Sequence, residues 1–530
     1  MKFTHIPFHR TGFFSKTIID YLDQKKSIQH FYDNFPDLKG FASQIREKEN
    51  NFPLSTRKEL VNVLQDQYRH VDTSDSTLEN IRSLESKDTF TITTGHQLNL
   101  FTGPLYFLYK IISTINLCET LTEQFPLKKF VPMYWMASED HDFDEINYFN
   151  FNGKKIKWDR TEGGAVGRFS LKGLQDVFNH FSKQLGNSKN AIFLSQLFEK
   201  AYLTQPTLSD ATRYISNELF KTFGLVILDA DDQRLKNIFA PIMRDELMHQ
   251  TSWNTVSNTT SKLNKDYKVQ VNPREINLFY LTENSRERII KNKEQYEINN
   301  KNLSFSQVEI LNELKNNSDR FSPNVIMRPL YQEVILPNLC YIGGGGELAY
   351  WLQLKAYFNT VKVPFPILLL RNSVQILSKS QVKKLNKLHI SFEEMFMKQH
   401  LLIAKKVKEN SEINFSFLDA KELLTQQFLA LRRVANETDA SFIGAVDAQQ
   451  RKQIKGLENL EKRLLRAEKR KQVDVTERII VLQNELLPNN SLEERQRNFS
   501  EYYLHYGPTL ITALKKSLKP LQQAFTILEL

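Results

Sequence analysis

Residues 89–121 read TFTITTGHQLNLFTGPLYFLYKIISTINLCETL, and the way this stretch divides decides the fold. Its first six residues are threonine, phenylalanine and isoleucine only, the composition of a strand. GHQLNLFTGP then brings two glycines and a proline, the chemistry of a turn. LYFLYKIISTINLCETL follows with apolar residues at helical spacing. Strand, glycine-bearing loop and helix in that order form the repeating unit of an α/β protein.

The same order recurs outward from this stretch. FVPMYWMA (130–137) is a near-continuous apolar run, as a strand covered on both faces requires. GLVILDADDQRLKNIF (224–239) reads as a strand, an acidic turn and the start of a helix. NVIMRPLYQEVILPNLCYIGGGGELAYWLQLKAYF (324–358) reads as strand, helix, strand, glycine turn and helix, and FPILLLR (365–371) as one more strand. The alternation predicts an α/β fold with a doubly wound, mostly parallel sheet. Residues 13–87 ahead of it read as helices, and the polar, mixed pieces at about 150–222 and 245–320 read as insertions. Past residue 376 glycine and proline become scarce. There Ile454, Leu457, Leu460, Leu464 and Ala467 recur on a three–four spacing between charges. That predicts an α-helical antiparallel coiled-coil arm packed on residues 423–437, and a division into a core of 1–375 and a helical domain of 376–530.

Composition narrows the function. With 530 residues, 41% hydrophobic and 25% charged, the chain is of the soluble globular class. Its net charge of +10 suits nucleotides and other phosphorylated or carboxylate ligands. The basic residues are dispersed, without interleaved aromatics, which argues against nucleic acid. Cys118 and Cys340 lie in apolar surroundings and read as inert buried thiols, and so low a cysteine usage suits the cytoplasm. MKFTHIPFHRTGFFSK has no apolar core for a signal peptide. The most apolar run contains Lys110 and falls short of a membrane span.

Ligands of open α/β sheets bind where the loops leave the carboxyl ends of the strands, and four features map there. In the first loop, Gly95 would let the backbone turn, and Gly103 precedes a helix N-terminus that favours an anion, with His96 and Gln97 as added donors. YWMASEDHDFDEIN (134–147) sets Glu139, Asp140, His141, Asp142 and Asp144 directly after a buried strand. Such a cluster can hold a divalent cation such as Mg²⁺, bind an ammonium group, or poise His141 for acid–base work. YIGGGGELAYW (341–351), with Tyr341, Gly343, Gly344 and Glu347, lets a ligand approach the backbone closely. Arg328 and Arg371, at strand ends, can neutralise phosphate or carboxylate, or pair with the acidic turns.

These blocks, with LPNNSLEERQRNF (487–499), resemble the family of the cysteine-adding enzyme of bacillithiol biosynthesis, and the resemblance spans essentially the whole chain. It implies a Rossmann-like core with connecting insertions and a helical coiled-coil domain through which members dimerise. It further implies a ligase that joins the carboxyl of cysteine to the amine of glucosaminyl-malate. ATP or ADP is the implied nucleotide, and Arg495 and Asn498 are its candidate contacts. Two departures stand out: His96 where glutamine is common, and Gly345 where proline is common, which leaves Glu347 in place. The expected mechanism has the Gly95–Gly103 loop and an arginine holding anionic groups. The acidic turn binds the amine, and His141, oriented by Asp140 or Asp142, accepts its proton. The rival readings are a nucleotidyltransferase-like enzyme acting on another acid and amine, and a catalytically silent nucleotide-binding scaffold.

Overall fold

A computed structural model describes residues 2–161 and 163–530. Five strands form a parallel sheet: β1 (Thr89–His96), β2 (Lys129–Met136), β3 (Val226–Asp229), β4 (Asn338–Gly343) and β5 (Ile367–Leu370). Their spatial order is β5-β4-β1-β2-β3, with every pairing parallel. The order therefore reverses between β1 and β4, and a doubly wound sheet opens a crevice beyond the carboxyl ends of its strands at that point. The run of alternating Thr, Phe and Ile in β1 is buried throughout, as a central strand must be.

Helix α1 (Tyr106–Gln124) follows β1, as the sequence predicts, and packs against β1 and β2. The loop between them is buried and faces inward. Phe101, Thr102 and Gly103 all have positive φ, at 47°, 67° and 61°, which is costly for a β-branched threonine. The ring of Phe101 compensates by packing among Phe149, Phe181, Phe198 and Phe499 at 5.2–5.4 Å. The Tyr202 hydroxyl accepts from the Phe101 N–H at 2.6 Å.

Two insertions flank β3. The first carries a hairpin (Tyr148–Phe151 with Lys154–Lys157) and three helices between residues 174 and 220. The second, after α2 (Gln233–His249), holds a five-stranded antiparallel sheet spanning residues 278–323. Asn324–Met327, expected as a strand, is instead a turn, because the Asn324 side chain accepts the Ile326 N–H at 2.9 Å and closes the backbone on itself. Helices α3 (Arg328–Ile335) and α4 (Gly345–Trp351) bracket β4.

The C-terminal region is helical. α5 (Leu418–Asn436) and α6 (Ala440–Lys471) form an antiparallel arm, with Lys421 paired to Glu461 at 2.7 Å and Arg432 to Asp447 at 3.5 Å. α7 (Val473–Leu486) leads back to the core. A three-stranded sheet joins Val374–Leu377, Phe525–Glu529 and Lys2–Ile6, so the two regions share backbone hydrogen bonds. Cys118 and Cys340 are both free and buried. Among the described residues no helix is long and apolar enough to cross a membrane.

Candidate active site at the topological switch point

A cleft of about 710 Å³ opens at the carboxyl ends of β1, β2 and β4. Its floor is an ion pair between a buried lysine and a partly buried glutamate. Lys110, on the first turns of α1, reaches back under the sheet edge to donate to the Gly95 carbonyl at 2.5 Å and to Glu347 Oε2 at 2.6 Å. The other oxygen of Glu347 accepts from the Tyr341 hydroxyl at 2.6 Å, and Oε2 also accepts the Gly344 N–H at 2.8 Å. Burial would raise the Glu347 carboxyl, but Lys110 and these donors outweigh it and hold it below the usual carboxylate range. Burial lowers the Lys110 ammonium.

Gly95 has its place in this arrangement for a reason other than a turn. It lies within β1, and a Cβ there would sit 3.1 Å from the Tyr341 hydroxyl. Gly103 faces away from the cleft; a Cβ on it would meet Asn99 Cβ at 2.6 Å. The expected anion site at the start of α1 is also filled from within, since the Leu105 N–H donates to the Arg497 carbonyl at 2.7 Å. His96 lines the cleft but is only 7% exposed. Burial, with Lys110 close by, pushes its imidazole down to about 3, so it is a neutral group whose Nε2 contacts the Thr102 carbonyl at 3.3 Å.

The acidic turn after β2 divides its side chains among separate partners. Glu139 pairs with Lys236 Nζ at 2.6 Å, and the same ammonium reaches Asp231 at 3.0 Å. Asp231 is also held by Arg168 through two bonds of 2.6 and 2.8 Å. Burial raises the Glu139 carboxyl against the pull of Lys236. Asp140 accepts from Gln97 at 3.1 Å and from the His141 backbone N–H at 2.8 Å. Burial opposes its ionisation, yet contacts with His141, Gln97 and Arg286 keep it well below the usual carboxylate range. Asp142 lines the cleft with its side chain exposed. Asp144 lies outside the cleft and accepts from Asn147 at 3.3 Å. Among the described residues no three His, Cys, Asp or Glu side chains are placed to hold a metal ion. The donor set therefore offers no protein cage for Mg²⁺.

The His141 imidazole lies closer to Arg286 than to Asp140. Its Nδ1 stands 3.6 Å from Asp140 Oδ1 but 3.1 Å from Arg286 NH1, on the antiparallel sheet of the second insertion. The ring also lies against Phe279 at 5.5 Å.

The cations split two ways. Arg328 sits among the rings of Trp135, Tyr341 and Trp351 at 5.5–5.9 Å, and it donates to Gln332 at 3.1 Å and to the Tyr350 hydroxyl at 3.2 Å. Arg371 is a structural group. It is 3% exposed and bonds Glu494 Oε1 at 2.6 Å and the Asn372 carbonyl at 3.0 Å. Arg495 is exposed and lines the cleft beside Tyr106. Asn498 does not reach the cleft: it is fully buried and donates to the carbonyls of Phe101 at 2.8 Å and Gly103 at 2.5 Å. The cleft thus gathers His96, Gln97, Glu139, Asp140, His141, Asp142, Arg328, Tyr341, Gly344, Glu347, Arg371 and Arg495, with Gly95 at its edge.

Three central residues were not singled out from the sequence as site residues. Lys110 carried a signal, a lone lysine in an otherwise apolar helix, since a lysine is seldom fully buried without a specific partner. Lys236 lay inside the DADDQRLK segment. Arg286 carried none, because the insertion that delivers it has no local motif.

Comparison with known proteins agrees with this architecture. The family model described as "Bacillithiol biosynthesis BshC, N-terminal Rossmann-like domain" matches residues 1–372, and "Bacillithiol biosynthesis BshC, C-terminal coiled-coil domain" matches 374–530. A protein of Christiangramia forsetii is 54% identical over 528 residues, covering 99% of this chain and 98% of its own. One of Flavobacterium johnsoniae is 54% identical over 523 residues, covering 99% of both chains. One of Bacillus thuringiensis is 26% identical over 513 residues, covering 92% and 93%. Each bears the name "Putative cysteine ligase BshC".

Proposed function

The chain belongs to the BshC family of bacillithiol biosynthesis, and from that premise we propose that it is the ligase that joins the carboxyl of cysteine to the amine of glucosaminyl-malate. One observation carries the reading. A single cleft brings the acidic turn of Glu139, Asp140 and Asp142 together with Arg274, Arg288, Arg328 and Arg495, cations for which no carboxylate lies within ion-pair distance among the described residues. Both substrates carry an amine and at least one carboxylate, and amide formation needs each held separately and in register.

The acidic turn is the ammonium-binding side. Asp142 is exposed beside His141, the one imidazole of the turn, and carries the charge that an ammonium group requires. The arginines are the anion-binding side, suited by their planar donors to the malate carboxylates. Lys110 and Glu347 form a pre-set dipole beneath them, and the Tyr341 hydroxyl is fixed on that pair. A nucleotide, ATP or ADP, would supply the carboxyl activation when bound. Arg495 and Arg288, both exposed at the cleft, fit its phosphates. The apolar residues left uncovered on the helical arm, among them Leu423, Leu429, Leu431 and Leu460, support a homodimer formed through it.

The direct test is to incubate purified protein with cysteine, glucosaminyl-malate and ATP and to follow the product by mass spectrometry. The expected result is the cysteinyl amide, with glucosaminyl-malate accumulating in a strain that lacks the gene. Turnover with another amino acid but not with cysteine overturns the assignment.

A further inference from the structure

The geometry points to Arg286 as a positioning residue that locks His141 in one tautomer, with Nδ1 bare and the ring proton on Nε2. This rests on the proposed function only for its consequence in the reaction; the tautomer itself follows from the contacts. A guanidinium has donors and no acceptor. The 3.1 Å approach of Arg286 NH1 to His141 Nδ1 is therefore a hydrogen bond only if that nitrogen carries no proton. A neutral imidazole then has its one proton on Nε2, which has no partner among the described residues and is left for a ligand.

Arg286 has little freedom to do otherwise. Its Nε donates to Ser322 Oγ at 3.0 Å and its NH2 to the Pro323 carbonyl at 3.0 Å. Its plane lies over the Phe279 ring, 4.1 Å from the centroid, and the same ring backs His141. Two edges of a rigid fork are thus anchored in the antiparallel sheet, and the third is aimed at the imidazole. Asp140, the obvious candidate for the task from its place in the sequence, has one oxygen on Gln97 and the other on the His141 backbone N–H.

The consequence reverses the expected direction of proton traffic. With Arg286 in place, His141 meets substrate as a hydrogen-bond donor from Nε2. It is suited to an oxygen that gains negative charge as the amide forms, and not to removing the proton of the incoming amine. Asp142, exposed on the same turn, is then the carboxylate that faces the ammonium.

The experiment is ¹⁵N NMR of the full-length protein labelled in its histidines, with the signals of His141 assigned by their loss in His141→Gln. The wild type should show a bare Nδ1 and a protonated Nε2 at neutral pH. Arg286→Met should lose that pattern and populate the other tautomer or the cation, and Arg286→Lys, which keeps a donor, should restore it in part. In the amide-forming assay Arg286→Met should lower kcat by about a hundredfold with KM changed far less. A wild-type spectrum with the proton on Nδ1, or one unchanged in Arg286→Met, overturns the assignment. The spectrum is read without substrate, so a failure of the proposed reaction leaves this result standing, and the converse also holds.

Discussion

At the scale of single residues, the site depends on charges taken out of water, and their partners decide the outcome of substitution. Lys110 is 3% exposed and neutralises Glu347 from below. Lys110→Met removes one member of that pair and leaves a carboxylate with only neutral donors. We expect a loss of about 3 kcal/mol in stability and a fall in activity beyond tenfold, read by denaturant unfolding and by product formation. Glu347→Gln, whose single oxygen can still accept from Lys110 and the Gly344 N–H, should cost less. Glu493 offers a pH test. Burial pushes its carboxyl up to about 7, against contacts with Tyr502 and Arg497. A carboxyl whose folded value lies above its unfolded one binds more protons when folded. Its stabilising effect is therefore complete below about 4.5 and is lost as pH rises through about 7. Between those values wild-type stability should drop by about 3 kcal/mol relative to Glu493→Gln. Parallel stability curves for the two proteins would remove the basis of this expectation.

At the scale of elements, β1, its loop and α1 show both what the sequence discloses and what it withholds. The strand and the helix were legible because burial and period are written in consecutive residues. The character of the loop was not. Its glycines suggested an open anion site, whereas Phe101 turns the loop inward to an aromatic cluster assembled from residues 149, 181, 198 and 499. No local pattern announces partners that distant. Gly103→Ala should therefore act as a folding mutation. A Cβ at φ +61° and 2.6 Å from Asn99 Cβ should cost about 2 kcal/mol and leave KM unchanged in the fraction that folds. The glycine turn before α4 should respond in the opposite sense. Gly345 is the first residue of the helix, a position that suits proline, and a Cβ there meets only the Ile18 side chain, at 3.2 and 3.9 Å. Gly345→Pro should raise stability by about 0.5 kcal/mol, measured as a higher Tm, with activity retained.

At the scale of the whole molecule, the parallel sheet and the helical coiled-coil region were readable from the texture of the chain, though the order of the strands was not. Nor was the composite nature of the cleft. Strand ends supply the acids, the second insertion supplies Arg286, and the segment after α7 supplies Arg495. Arg371 was a candidate ligand-binding cation by its place at the end of β5. The structure spends it on Glu494, with side-chain exposures of 4% and 1% for the two. Arg371→Met should strand a buried carboxylate and cost about 4 kcal/mol. Arg371→Met with Glu494→Met should recover much of that loss, a comparison that unfolding curves make directly. The half-exposed leucines of the arm give a further expectation: charged substitutions at Leu429 and Leu431 should shift sedimentation toward the monomer and spare the fold of the cleft.

The Arg371–Glu494 pair also sets a schedule. The two residues are 123 positions apart, so at ordinary elongation rates the glutamate follows the arginine from the ribosome by roughly 6 to 25 seconds. Through that interval the nascent sheet carries a guanidinium at its edge with its counter-charge still unmade. Closing the core over that guanidinium before Glu494 emerges would bury an unpaired charge, so the pair favours a late closure of this edge.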